Sequence, residues 1–213
     1  SIALQLAKPA GKNPREVAEI IAAQLTGVEG ISKVDIAGPG FINITLNRAS
    51  QAVLVQTILK ATKDYGKGSA LAGVKINLEF ISANPTGPLH LGHTRWAAVG
   101  DALGRVLTAA GASVTREFYI NDRGNQMDFF GQSVEAVALG NPVPENGYQG
   151  DYIKDLAAEV VAQNAGIKDL PESERFIAFR EAAYQLQLKD QQRVLDTFNT
   201  HFDVWFSERS LHD

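Results

Sequence analysis

Within residues 74–120 the hydrophobic period switches from two to helical and back toward a strand, and few folds accommodate that order. Val74, Ile76, Leu78 and Phe80 alternate with Lys75, Asn77 and Glu79, the pattern of a strand with two unlike faces. Trp96, Val99, Gly100, Leu103, Val106, Leu107 and Ala110 then recur at helical spacing, with Gly111 where a helix C-cap belongs. Val114, Phe118 and Ile120 predict a second strand. Strand, helix, strand is a βαβ unit, and a crossover helix joins strands that lie parallel. The chain therefore reads as α/β, with ligands expected at the C-terminal ends of its strands, near Asn121 to Gly124.

The turn between strand and helix carries the chemistry. Residues 82–95 read Ser-Ala-Asn-Pro-Thr-Gly-Pro-Leu-His-Leu-Gly-His-Thr-Arg. His90 and His93 stand three apart at a helix start, so both imidazoles can reach one group. Backbone N–H groups and the positive end of the helix dipole favour phosphate at that place. Gly92 keeps a side chain from standing between the rings, and Pro85 and Pro88 stiffen the approach. The array suits stabilisation of charge growing on a phosphate, without a protein nucleophile. A His-x-x-His pair also fits a metal site, but such a site wants further Cys or His ligands. There is no Cys, and His201 and His212 lie far along the chain.

With 213 residues, 45% of them hydrophobic, the chain can hold one large or two small domains. No apolar run approaches the roughly twenty residues of a membrane span. No signal peptide is visible, although the chain opens at Ser1 rather than Met. Net charge is −4 but uneven: residues 1–70 carry eight Lys/Arg against five Asp/Glu, +3, and the remainder twelve against nineteen, −7. A basic first segment on an acidic body fits contact with a polyanion through one part only, or a solvated surface with chance asymmetry.

The first 70 residues read as helix, two strands and helix: Val17, Ile20, Ile21 and Leu25 after Pro14, strands either side of Gly38-Pro39-Gly40, then a helix from Val53 to about Tyr65. Gly66 to Gly73 reads as a linker, and Gly140 to Gly150 as a surface loop. Ile153, Leu156, Val160 and Val161 predict one helix. Phe176, Phe179, Leu186, Val194, Leu195 and Phe198 predict a long helix or a helical pair, with the aromatics in the core.

Ala-Asn-Pro-Thr-Gly-Pro-Leu-His-Leu-Gly-His at 83–93 resembles the first signature of class I aminoacyl-tRNA synthetases, in the form of the arginyl-tRNA synthetase family. Leu78-Glu79-Phe80, the run Arg116 to Gln126, Gly150-Asp151-Tyr152-Ile153 and Phe202 to Glu208 are also similar to that family. The resemblance, to the bacterial type, implies a small α+β domain over 1–70 that meets the outer corner of tRNA. After it would come the first part of a Rossmann-like catalytic domain over 71–213, with an acceptor-end insertion at about 140–200. The implied reaction is ATP-dependent activation of L-arginine and its transfer to tRNA(Arg), by a monomeric cytoplasmic enzyme using ATP with accompanying Mg²⁺ and no resident metal. The second, lysine-bearing signature and the anticodon-binding domain are absent from the sequence, which reads as the N-terminal part of such an enzyme.

By the same resemblance His90 and His93 are catalytic, and Pro88, His90, Gly92 and His93 bind ATP. Glu79, Ser82, Ala83, Asn84 and His93 would bind arginine. Gly87 stands where some family members carry a lysine, which places this sequence with the subgroup that keeps the downstream lysine. A small-molecule nucleotidyltransferase shares the His-x-Gly-His turn, and a tRNA-binding fragment inactive on its own is the non-enzymatic alternative. The long Asn-Pro-Thr-Gly-Pro approach and the basic first segment favour the synthetase.

Overall fold

The computed structural model describes residues 1–212, and the side chains of all of these except 48–51. Contacts divide the chain into two units, Ser1–Gly66 and Lys67–Asp213. The first holds α1 (Ile2–Ala10), α2 (Pro14–Leu25), β1 (Ile31–Ala37), β2 (Phe41–Leu46) and α3 (Arg48–Ala61). α2 starts where Pro14 predicts, because Asn13 and Glu16 cap it reciprocally: Glu16 N–H donates to Asn13 Oδ1 at 2.9 Å, and Asn13 N–H to Glu16 Oε2 at 3.2 Å. β1 and β2 form an antiparallel pair, Val34 opposite Ile44. Ala3, Val17 and Ala18 make the small core, with Ile21, Ile36 and Ile42 packed on it. α1, which carries Pro9 in its last turn, is not among the expected elements.

The second unit is built on three parallel strands, in the order β3 (Lys75–Glu79), β4 (Ser113–Ile120), β5 (Val204–Ser207). α4 (Leu91–Ala109) crosses from β3 to β4. α5 (Asn125–Ala138), α6 (Tyr152–Gln163) and α7 (Glu172–Thr197) separate β4 from β5, and α7 is one unbroken helix rather than a pair. Phe118, Met127, Phe130, Val134, Ile153, Val160 and Phe179 fill the core between them. Part of the expected linker is not free: Gly68 N–H donates to Ala109 O at 2.7 Å and Leu71 N–H to Ala110 O at 2.9 Å, tying 68–71 to the end of α4. Buried Asp122, just past β4, joins three elements by accepting from Tyr184 Oη at 2.9 Å, Ser207 Oγ at 2.6 Å and Arg209 N–H at 3.2 Å.

The face that α4 buries differs from the expected one. Its period is helical as predicted, but of the expected stripe only Gly100 is buried, alongside Ala97 and Gly104, while Trp96, Val99, Leu103 and Val106 are exposed. Small residues let the helix descend close to the sheet, which large side chains would prevent. A Cβ on Gly100 would stand 2.3 Å from Phe80 Cγ and 2.2 Å from its Cδ2. Phe80 is itself pinned against Phe202, ring centroids 4.5 Å apart. Since Cγ is the root of the ring, rotation of the ring cannot clear the clash. In Gly100→Ala the gain in helix propensity, about 1 kcal/mol, should be outweighed by overpacking of about 1–3 kcal/mol. Urea unfolding should show a net loss of stability, and an unchanged or raised midpoint would contradict this packing.

Candidate active site

The path from β3 into α4 is strained before it is functional. Ile81 and Ser82 adopt φ of 69° and 45°, left-handed values that non-glycine residues, β-branched ones above all, rarely accept. Such residues cost on the order of 1–3 kcal/mol each and persist where the surroundings hold them. The hold is visible. Ser82 Oγ accepts from Tyr119 N–H at 3.1 Å and donates to the Glu79 carboxylate, so its hydroxyl links β3 to β4.

Beyond this bend, Ser82, Ala83, Asn84, Pro88, His90 and His93 line one cavity of about 480 Å³, together with Tyr148 and Tyr152. Ala83 is buried among core residues and can offer only its backbone. Glu79 reaches this group only through Ser82; its own position borders a separate cavity of about 330 Å³ beside Trp96 and Val99. Gly92 lines none of these cavities; a Cβ there would stand 2.9 Å from His90 Cε1. His93 also borders a third cavity, of about 270 Å³, with Thr94 and the exposed Phe198. A slightly larger cavity, about 520 Å³, lies at Asp122, Asp128, Arg180 and Arg209. Most of its charges are already paired, Arg180 with Asp128 at 2.8 Å and Arg209 with Glu181 at 2.6 Å, which leaves Arg123 outside any ion pair among the described residues. Burial pushes the Glu181 carboxyl up, but hydrogen bonds from Arg209 and Arg180 outweigh it and hold it below its ordinary value. The 480 Å³ cavity, with both histidines of a helix N-terminus and no carboxylate in its lining, is the better candidate for an anionic ligand than one that holds Asp122 and Asp128. Among the described residues no group of three or more His, Cys, Asp or Glu could hold a metal ion.

The two histidines form the cap of α4. Gly92 N–H donates to His90 Nδ1 at 3.1 Å, and His90 N–H donates to His93 Nδ1 at 3.2 Å. A ring nitrogen that accepts a hydrogen bond carries no proton, so each neutral ring must carry its proton on Nε2. The rings are stacked, centroids 3.8 Å apart and 23° from parallel. The helix start thus offers two imidazole N–H donors of fixed tautomer. Burial lowers the His93 pKa below 6.5, and the neighbouring His90 lowers it further; the bond accepted at Nδ1 acts in the same sense.

Several residues that shape this cavity are not among the expected site residues. Asn84 Nδ2 donates to Gln126 Oε1 at the start of α5. Tyr152 donates its hydroxyl to Thr86 O at 2.8 Å; burial, and Tyr148 after it, push that phenol up to about 12, so it remains a donor. Tyr148 is brought in by a loop tied to α5, its N–H donating to buried Ser133 Oγ at 2.8 Å. Gln191 reaches the turn from α7. Gln126 and Tyr152 stood in runs that already resembled the family, but Gln191, between Asp190, Gln192 and Arg193, reads as part of a solvated helix face.

Strand, imidazole-capped turn and crossover helix in a parallel sheet are the architecture of a class I synthetase catalytic domain. Residues 54–204 match the family described as tRNA synthetases class I (R), catalytic domain, and residues 1–46 match the arginyl tRNA synthetase N terminal domain. Arginine–tRNA ligases of Renibacterium salmoninarum and Pseudarthrobacter chlorophenolicus are 55% and 54% identical to the chain over all of it, covering 39% and 38% of their own length. A Campylobacter jejuni crystal structure assigned to the arginyl-tRNA synthetases superposes with a TM-score of 0.69 at 33% identity, over 79% of this chain and 38% of that one. The Thermus thermophilus arginyl-tRNA synthetase gives a TM-score of 0.59 at 22% identity, over 96% and 34%, a likeness of fold. The chain belongs to the arginyl-tRNA synthetase family. It spans 38–39% of the length of those curated relatives.

The tautomers can be read directly. Nitrogen-15 spectra of the imidazoles should show both rings protonated on Nε2 at pH 7.5, and His93 should titrate below 6.5. Because its folded pKa lies below the unfolded value of about 6.5, the neutral ring's contribution to stability is complete above that pH. It is lost as pH falls from there toward the folded value. An Nδ1–H tautomer, or a His93 midpoint above 6.5, would refute the cap.

Proposed function

We propose that this chain is the part of an arginine–tRNA ligase that binds ATP and arginine and forms arginyl-adenylate. The observation carrying this reading is the pair of Nε2–H donors at the start of α4, lining one cavity with Ser82 and Asn84. An arginine carboxylate oxygen bonds to the α-phosphorus of ATP as the bond from that phosphorus to the bridging oxygen breaks, and pyrophosphate leaves with the electron pair. A ribose hydroxyl at the end of tRNA then displaces AMP. His90 and His93 donate to phosphate oxygens whose charge grows in the first step, without exchanging a proton themselves. Pro88 and Gly92 keep the approach narrow and free of side chains. Asn84, whose Nδ2 is held by Gln126, keeps Oδ1 to accept from the α-ammonium of arginine. Glu79 supplies negative charge on the arginine side and orients the Ser82 hydroxyl.

In the same reading Mg²⁺ arrives with ATP, and the enzyme is a cytoplasmic monomer. The basic residues of 1–70 meet tRNA, and 140–200 approach its acceptor end. Supporting the tRNA role are the +3 charge of 1–70 and the match of residues 1–46 to a synthetase N-terminal domain. No helix among the described residues is long and apolar enough to cross a membrane.

In a complete synthetase carrying this sequence, His90→Ala or His93→Ala should slow arginyl-adenylate formation by about 100-fold or more, since loss of one such donor costs roughly 2.7–4 kcal/mol in the transition state. Single-turnover rates near the parent's in both variants would remove the phosphate role. Asn84→Ala should raise the KM for arginine well above any change in the KM for ATP. Equal rises would leave Asn84 as a shaper of the turn only.

A further inference from the structure

The signature turn is gripped from beneath by a side chain that lines no part of the candidate cavity. Gln191, 0% exposed, lies on the buried stripe of α7 with Ala183, Tyr184, Gln187 and Leu195. Its Nε2 donates to Asn84 O at 3.0 Å and to Gly87 O at 2.9 Å. A primary amide has two N–H bonds, and both are used on this one turn. Between them the Tyr152 hydroxyl takes Thr86 O, at 2.8 Å. Three of the four carbonyls from Asn84 to Gly87 therefore accept from side chains of α6 and α7, 66 to 107 residues downstream.

Gln191 Oε1 is buried with no partner. An unpaired buried acceptor is unfavourable, yet the inverted amide would be worse, because it would set Oε1 against two carbonyl oxygens. The turn itself fixes which way the amide points. Asn84 lies on the side of the turn that we assign to arginine, and Gly87 leads into Pro88 and His90, the side assigned to ATP. One amide spans the two.

We infer that Gln191 is a positioning residue for adenylate formation, resting on the function proposed above: its amide sets the separation of the arginine-binding and phosphate-binding halves of the turn. Attack of the carboxylate oxygen in line with the departing pyrophosphate depends on that separation, and misplacement by about 1 Å can cost about 100-fold. Each half keeps its own ligand contacts when the separation drifts. The effect therefore falls on kcat and spares both KM values.

Gln191→Met in a complete synthetase carrying this sequence tests the inference. Methionine keeps the length and the buried volume; it relieves the unpaired Oε1 but leaves Asn84 O and Gly87 O without their donor, so a modest net loss of stability is expected. In arginine-dependent ATP–pyrophosphate exchange with tRNA present, kcat per titrated active site should fall roughly 10- to 100-fold. The KM values for arginine and ATP should stay within about threefold of the parent's, and the melting temperature within about 4 °C. Tyr152→Phe, which deletes one donor without changing shape, should give the same pattern at smaller size. A Gln191→Met enzyme with parental kcat per active site, or with one KM raised and kcat intact, would overturn the inference. Should Gln191→Met not fold, Tyr152→Phe decides: lost kcat at constant KM upholds the clamp, and parental kcat overturns it. A parent enzyme without arginine-dependent exchange would overturn the proposed function and this inference together, whereas an active parent with parental variants overturns the inference alone.

Discussion

Two backbone N–H groups at the start of α4, from His90 and Gly92, are satisfied by imidazole nitrogens rather than by a hydroxyl and a carboxylate. The usual reciprocal cap, as Asn13 and Glu16 form at α2, places a negative charge in the first turn. That charge complements the helix dipole but would repel a phosphate arriving at the same place. With histidine in both capping positions the N–H groups find acceptors, no anion is present, and each ring keeps an Nε2–H for a ligand. Under the proposed function, capping and ligand binding become one arrangement. Gly92 is part of it, because any Cβ there would meet the His90 ring at 2.9 Å.

The turn that delivers these rings does not hold itself. Ile81 and Ser82 sit in left-handed conformations, and the following residues run through two prolines to the helix. Its polar groups are taken up by Glu79 and Tyr119 on the sheet, Gln126 on α5, Tyr152 on α6 and Gln191 on α7. Asp122 in turn fastens α7 and the end of β5 to the end of β4. The helices between β4 and β5 are thus structural supports of the site, whatever else they meet.

What the sequence disclosed follows from the range of the interactions involved. The alternation at 74–80, the Pro/Gly/His turn and the helical period after it are local, and β3, α4 and β4 stand within a residue or two of where those patterns put them. The period of α4 was legible but its buried face was not, because large apolar residues such as Trp96 and Val106 outweigh Ala97, Gly100 and Gly104 in any pattern of hydrophobicity. β5, four residues long, pairs with β4, so Val204 meets Glu117 across a gap that no local period reveals. The supports of the site were hidden for the same reason. A glutamine such as Gln191 among charged neighbours looks solvated until the helix carrying it is packed under the turn.

The central claim is that the capped start of α4 and the turn leading to it receive the reacting carboxylate and phosphate together. A crystal structure of a complete synthetase carrying this sequence, bound to a non-hydrolysable arginyl-adenylate analogue, tests it most directly. The account predicts the group replacing the α-phosphate within hydrogen-bonding distance of Nε2 of His90 or His93, and the α-ammonium group at Asn84 Oδ1, with both Nδ1 atoms still accepting from the backbone. An analogue seated away from the start of α4, or imidazoles turned so that Nδ1 faces the ligand, would contradict it.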